Sequence, residues 1–201
     1  MERRDYLVID LEATCDDQGQ VPREKMEIIE IGAVLVDGET FAPKAEFQSF
    51  VRPVRHPRLT PFCQKLTSIS QEEVDRAPGF VAVIRALTEF TANQRPLFSS
   101  WGNYDKGQFG LDAKYHGIKL PFGKDHLNIK TAFSRALGTR KRFGMAAALR
   151  KLRIPLEGTH HRGIDDARNI AKILPYAVGA MAIPTYAANH GGGLEGRRPR
   201  R

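Results

Sequence analysis

The chain has few cysteines and no long apolar run. Cys15 and Cys63 are the only cysteines among its 201 residues, too few for a disulfide framework, and no Cys-x-x-Cys pair is present for zinc or redox chemistry. The longest apolar runs, such as residues 31–36, are far shorter than the roughly 20 residues of a membrane span. An apolar leader is also lacking before the first strand-like segment. We therefore expect a cytoplasmic protein with no membrane association.

Acidic residues are in the minority. The chain has 31 Lys and Arg against 23 Asp and Glu, a formal net charge of +8. Such an excess favours a polyanionic partner, with nucleic acid first and acidic membrane surfaces second. Part of it lies in residues 187–201, which we predict to be a disordered basic tail. A second cluster, with cations at residues 140–142, 150, 151 and 153, is equally consistent with a solvated helical face.

Apolar and alternating segments predict an α/β domain over residues 1–186. Strands are expected at residues 6–11, 28–36, 47–51, 96–101 and 127–129. A short helix is expected to begin at residue 70. Further helices are expected near residues 80–90, 105–116, 131–137 and 144–152, and again from residue 163. The first three strands follow one another closely, which favours an antiparallel meander within a mixed sheet. Pro175 predicts a kink or a stop in the last helix, followed by a separate turn or short helix over residues 176–182.

Acidic residues stand at the ends of two predicted strands and at the start of the last helix. Asp10 and Glu12 are two residues apart on the first strand, so their side chains project to the same face. Asp105 follows the fourth strand, and Asp166 opens the last helix five residues after His161. Like charges on one face repel unless a cation lies between them. The set predicts two divalent cations, Mg²⁺ or Mn²⁺, with His161 as a base that titrates near neutrality.

Each of these residues also has a purely structural explanation. Asp105 and Asp166 could be helix caps or first-turn acids, and His161 could be a surface histidine beside His160. Their joint occurrence favours chemistry on a phosphodiester, because that reaction needs cations to neutralise the phosphate and a base to take a proton from water.

Three separated segments resemble the exonuclease motifs of the DEDDh superfamily. They are Asp-Leu-Glu-Ala-Thr-Cys at residues 10–15, Ser-Trp-Gly-Asn-Tyr-Asp at 100–105 and His-Arg-Gly-Ile-Asp-Asp at 161–166. The first of them and residues 66–77 also resemble the Eri-type and KapD-like branch. The resemblance implies an RNase H-like fold, with a five-stranded mixed sheet flanked by helices. It also implies a 3′-to-5′ exonuclease that acts on the 3′ ends of single-stranded nucleic acid, with RNA favoured.

The same resemblance implies roles for particular residues. The general base is His161. Glu12 contacts the terminal nucleotide in addition to binding metal, and the Ala13 backbone contacts its 3′-hydroxyl. The metal ligands are Asp10, Glu12, Asp105 and Asp166. Pro175 departs from the family pattern.

Two adjacent residues, His160 and Asp165, repeat the spacing of His161 and Asp166. The motif selects the pair His161 and Asp166, and we expect the His160 side chain to point away from the site. The role of Asp165 stays open.

Two further residues have two interpretations each. Trp101 lies four residues before Asp105 and could pack in the core or offer a stacking surface to the terminal base. Glu30, inside an apolar strand, could be a hydrogen-bonded structural acid or a group that supports the metal ligands. The structural role is favoured for both.

Two rival functions are consistent with the same fold. One is a DNA exonuclease of the proofreading or repair type, since no residue can be identified as a reader of the 2′-hydroxyl. The other is a non-catalytic regulator that binds nucleic acid. The complete set of acids and base argues against a regulator, because binding alone does not need four converging carboxylates. The sequence identifies no protein partner.

Overall fold

One mixed sheet of five strands organises the structure, a computed structural model that describes residues 4–91 and 94–184. The strand order is β3-β2-β1-β4-β5. β1, β2 and β3 form the predicted antiparallel meander, and β4 and β5 continue the sheet in parallel with β1. The strands are Tyr6–Ala13 (β1), Ile28–Val36 (β2), Pro43–Phe50 (β3), Leu97–Ser100 (β4) and Leu127–Asn128 (β5).

Seven α-helices accompany the sheet within the described ranges. They are Pro61–Thr67 (α1), Gln71–Arg76 (α2), Phe80–Thr91 (α3), Tyr104–His116 (α4), Ile129–Ala136 (α5), Met145–Leu152 (α6) and Gly163–Ala177 (α7). The predicted capping box of α2 is present, with Ser70 and Glu73 bonded reciprocally. We did not predict α1, because seven residues are too few to show a helical period. None of the helices in these ranges is long and apolar enough to cross a membrane.

The alternation of β1 decides which layer each of its side chains faces. Leu7 and Ile9 pack with α3 and α4 on one side of the sheet. Val8 packs with α5, α6 and α7 on the other side. Because strand side chains alternate, Asp10 and Glu12 project on the same side as Val8. The two carboxylates therefore face the layer that contains the last helix.

Two glycines let the start of α7 approach β2 closely. A Cβ atom on Gly32 would lie 2.1 Å from the backbone of Gly163 and Ile164, where no side chain fits. Gly32 is also the cross-strand partner of Asp10. The contact between the two glycines therefore places the first turn of α7 beside the acidic end of β1.

The variant Gly32→Ala tests this close approach. We expect it to lose about 3 kcal/mol of stability, because the added methyl collides with backbone that cannot rotate away. Thermal melting measures the effect. Gly110→Ala is the matched control, since the same methyl on the exposed face of α4 meets no atom within 4 Å and should be neutral or slightly stabilising. Equal melting temperatures for the two variants would contradict the contact.

Of the two outcomes predicted at Pro175, a kink or a stop, the stop is wrong. α7 continues to Ala177, so Tyr176 and Ala177 belong to it rather than to a separate turn. A proline removes a single N–H, and the neighbouring Leu174 and Ala177 are buried in the core, which holds the final turn in place. The carbonyl of Pro175 then accepts hydrogen bonds from Ala180 and Met181, at 2.9 and 3.1 Å. The predicted tail lies outside the described residues.

Candidate active site

The carboxyl ends of β1 and β4 meet at one edge of the sheet. These strands are parallel neighbours, and Ile9 lies opposite Ser100. Asp10 and Glu12 follow on β1, where their partners on β2 are Gly32 and Glu30. Side chains that come directly after either strand therefore approach the same point.

Asp105 reaches this point from β4. The chain leaves β4 after Ser100 and enters α4 at Tyr104, so Asp105 lies in the first helical turn. Its side chain is 4% exposed. One carboxylate oxygen, Oδ1, accepts a hydrogen bond of 3.2 Å from the backbone N–H of Leu11. This bond ties the acid to β1, between Asp10 and Glu12.

Asp166 reaches the site from the first turn of α7, with two histidines beside it. Its Oδ2 accepts a hydrogen bond of 3.1 Å from the backbone N–H of His161. His160 Nδ1 lies 3.0 Å from Oδ1 and 2.9 Å from Oδ2. The two imidazole rings stack, with centroids 4.1 Å apart.

The expectation that His160 points away from the site is therefore wrong. His161 adopts the left-handed backbone conformation, with a φ of 65°, which is uncommon outside glycine. At such a turn consecutive side chains need not alternate as they do in an extended segment, so both rings lie on the Asp166 side. Motif spacing alone carries no signal of this backbone conformation.

All four predicted acids and both histidines line one pocket of about 400 Å³. One oxygen each from Asp10, Glu12 and Asp166 can lie within 4.8 Å of the others. A second group of possible ligand atoms, within the same limit, comes from His160, His161 and Asp166. Asp166 thus belongs to both groups, whereas Asp105 lines the same pocket and belongs to neither.

Burial makes three of these acids hard to ionise, and repulsion from neighbouring carboxylates adds to the effect for two of them. Burial, and after it the neighbouring carboxylates, raise the pKa of Asp10 well above its ordinary value. The same two causes, in the same order, raise the pKa of Glu12 to about 8. For Asp105, burial raises the pKa to about 6, against hydrogen bonds that lower it. The protein therefore holds a set of carboxylates that a nearby cation would stabilise in their charged form.

This donor set fits hard divalent cations. Carboxylate oxygens are the ligands that Mg²⁺ and Mn²⁺ prefer, whereas neither buried cysteine belongs to the groups of possible ligands among the described residues. The raised pKa values mean that a bound cation would displace protons as well as relieve repulsion.

Glu30 anchors the segment that carries the histidines. It is fully buried, and it accepts hydrogen bonds from Gly163 N at 3.0 Å, Arg162 Nε at 3.2 Å and Gln48 Nε2 at 3.0 Å. The favoured interpretation as a hydrogen-bonded structural acid is confirmed. Because Gly163 follows His161 by two residues, the same bonds also fix the start of α7 at the site.

Asp165, whose role was open, closes the loop before the histidines. Its Oδ2 accepts a hydrogen bond of 2.9 Å from Thr159 N, and Arg168 forms an ion pair of 3.0 Å with Oδ1. Gly158, with a φ of 74°, packs directly against this carboxylate. Asp165 and Asp166 thus have different contacts although they are adjacent: one holds the loop, and the other faces the pocket.

Apolar and aromatic side chains complete the pocket wall. Ala13 and Trp101, both predicted substrate contacts, line it. Trp101 is half-buried and packs against Phe133, as the core interpretation predicted, while its edge still reaches the pocket. The sequence did not point to several other lining residues, of which Met26, Leu66 and Tyr104 are examples. The first two come from distant segments, whereas the position of Tyr104 directly before Asp105 was an available signal.

A mixed five-stranded sheet that gathers four carboxylates and two histidines at one edge defines a nuclease-type hydrolase with an RNase H-like fold. The family model RNase_T, described as exonuclease, matches residues 7–174. The chain belongs to this exonuclease family, as the three motifs indicated.

Relatives and solved structures place it near the Eri-type branch. It is 35% identical over 178 residues to ERI1 exoribonuclease 3 of Homo sapiens, covering 84% of this chain and 52% of that protein. It is 30% identical over 175 residues to the probable 3′-5′ exonuclease KapD of Bacillus subtilis (strain 168), covering 86% and 84%. The nuclease domain of 3′hExo, a DEDDh family member solved with rAMP, superposes with a TM-score of 0.82 at 28% identity, covering 90% and 94%. The chain spans about half the length of the exoribonucleases it matches.

Proposed function

We propose that this protein is a 3′-to-5′ exonuclease that removes nucleotides from the 3′ ends of single-stranded RNA, with two divalent cations. The observation that carries the proposal is the convergence of four carboxylates and a histidine in one pocket. Support for the direction and for RNA comes from the relatives, since the named human protein is an exoribonuclease and KapD is a probable 3′-5′ exonuclease.

The ligands of the two cations would be Asp10, Glu12, Asp105 and Asp166. When bound, the cations neutralise the phosphate, lower the pKa of water and stabilise the departing oxygen. His161 takes the proton from the attacking water through its imidazole, whose neutral form burial favours by lowering its pKa. Asp10, Glu12 and Asp105, whose pKa values are raised, would release protons as the cations bind.

The terminal nucleotide would lie against the pocket wall. Glu12 and the Ala13 backbone follow one another at the end of β1, within reach of a terminal sugar in the pocket. Trp101 lines the same pocket, where its indole would offer a stacking surface to a base. A base stacked there would be worth about 1–3 kcal/mol of binding.

Matched RNA and DNA oligomers of one sequence test the substrate class. We expect a higher kcat/KM on RNA, with mononucleotides released from the 3′ end and a 3′-phosphate blocking the reaction. A higher kcat/KM on DNA would favour the proofreading or repair alternative. If the purified protein binds RNA but turns over neither substrate with Mg²⁺ or Mn²⁺, the regulator alternative applies.

Activity is expected to require Mg²⁺ or Mn²⁺ and to vanish with excess EDTA, because the proposed ligands are hard oxygen donors. Hydrolysis that continues in excess chelator would rule out the two-metal mechanism.

The metal-free protein is also expected to lose stability as pH rises. Glu12 and Asp105 have pKa values raised to about 8 and about 6, so the folded chain holds protons that the unfolded chain has released. Stability therefore falls from the ordinary carboxyl range near pH 4.5 up to about pH 8. Melting curves in EDTA measure this fall, and Mg²⁺ should reduce it. A melting temperature that Mg²⁺ leaves unchanged at pH 8 would argue against metal binding by these acids.

A further inference from the structure

Five exposed cations form a surface beside the active-site pocket, which we call the basic surface. They are Arg135, Arg140, Lys141, Arg142 and Lys151. In the part of the chain that the structure describes, no ion pair joins any of them to an acid. Their charges therefore add to a positive potential instead of being cancelled locally.

Phe143 connects this surface to the pocket. Its carbonyl accepts a hydrogen bond of 3.2 Å from Trp101 Nε1, and Trp101 lines the pocket. Lys141 Nζ and Lys151 Nζ lie 5.7 and 5.0 Å from the centre of the Phe143 ring. Phe143 thus lies between the two ammonium groups and Trp101 in the pocket wall.

An open cleft lies within the basic surface. It has a volume of about 340 Å³ and is lined by Arg135, Arg140 and Arg142 together with Thr131, Gly138 and Thr139. No acidic or large apolar side chain is among these lining residues. Guanidinium groups and hydroxyls are the donors that phosphate oxygens accept from, and a cleft without apolar walls offers little to a protein helix.

We propose that the basic surface binds the phosphodiester backbone of a single strand, on the nucleotides that precede the one in the pocket. The inference rests on the proposed function, which supplies the strand. It adds a second contact region, so binding and turnover should depend on substrate length. Attraction to phosphate charge, rather than base recognition, makes this contact independent of sequence.

The test removes three charges from the surface in the variant R140Q/K141Q/K151Q. Binding of a fluorescent RNA of about 12 nucleotides is measured in EDTA, where no hydrolysis occurs. We expect affinity at 50 mM salt to fall on the order of tenfold or more, and the slope of log affinity against log salt to decrease by about 2, at about 0.7 per phosphate contact. With Mg²⁺, kcat/KM should fall through KM on the long RNA and stay unchanged on a dinucleotide.

Two control variants separate this surface from net charge and from lost packing. R85Q/K114Q/K119Q removes three exposed cations on the opposite face of the sheet, and R140K/K141R/K151R keeps every charge. Both should bind the long RNA like the parent, and all variants should melt like the parent.

Three results would overturn the inference. They are equal losses in both glutamine variants, an unchanged salt slope, or a loss confined to duplex RNA. Failure of the parent to cleave any substrate would instead refute the proposed function. The RNA-binding measurement in EDTA would still test the basic surface in that case.

Discussion

Asp10→Ala and Asp105→Ala are expected to lower hydrolysis on the order of 10³-fold or more, while melting at the temperature of the metal-free parent or above it. Activity falls because a displaced cation removes several kcal/mol of transition-state stabilisation, and each 1.4 kcal/mol is a factor of ten. Stability holds or rises because each of these acids is buried and repels neighbouring carboxylates when ionised. Single-turnover rates and melting curves in EDTA measure the two effects.

Asp112→Asn is the matched control for Asp105, because both acids are buried on α4. Asp112 lies outside the pocket, where it pairs with Arg55 at 2.7 Å and accepts a hydrogen bond from Ile28 N at 2.9 Å. The control should therefore lose about 2 kcal/mol of stability and keep its rate per folded molecule. If Asp105→Ala instead unfolds the protein and Asp112→Asn inactivates it, the assignment of the two acids is reversed.

His161→Ala is expected to lower the rate by about 10²–10⁴, the usual contribution of a positioned base. Metal binding should survive, because the four carboxylates remain. Burial, helped by the charge of His160 and opposed by that of Asp166, lowers the pKa of His161 below 6.5. A base works in its neutral form, so activity should rise with pH through a value below 6.5 and stay level above it. The alanine variant should not show this rise of activity at low pH. A rise that persists in the variant would show that a group other than His161 titrates there.

His160→Ala separates the two histidines. His160 Nδ1 contacts the carboxylate of Asp166, so its loss is expected to lower activity. A side chain that pointed away from the site, as the motif suggested, would have made the variant silent. Loss of a group that orients a metal ligand usually lowers activity about 10–100-fold. We expect the lower end of this range for His160→Ala, with the rise of activity at low pH retained. An inactive His160→Ala beside a working His161→Ala would make His160 the base.

The acidic end of β1 illustrates a cost that function imposes on stability. Four carboxylates share one pocket, and the raised pKa values of Asp10 and Glu12 show that burial and proximity oppose their ionised forms. A sequence optimised for stability alone would not place them together. The metal-binding role that we propose for them accounts for this arrangement.

Local pattern was sufficient for much of the fold. β2 was predicted with its observed bounds, and β1 differed only by two residues at its end. The capping box of α2 and the shared face of Asp10 and Glu12 also followed from spacing, because a helix repeats every 3.6 residues and a strand every two. The resemblance of three motifs to the DEDDh superfamily added the family and the expected site residues.

Tertiary packing decided the remainder. The contact of Gly32 with Gly163, the bonds from Glu30 to the start of α7 and the second histidine at Asp166 join segments or conformations that no short window of sequence encodes. Pro175 stays inside a helix because buried neighbours outweigh its local preference. Helical and strand periods depend on a few consecutive residues. The distance between Gly32 and Gly163, by contrast, depends on how the sheet and the last helix pack together.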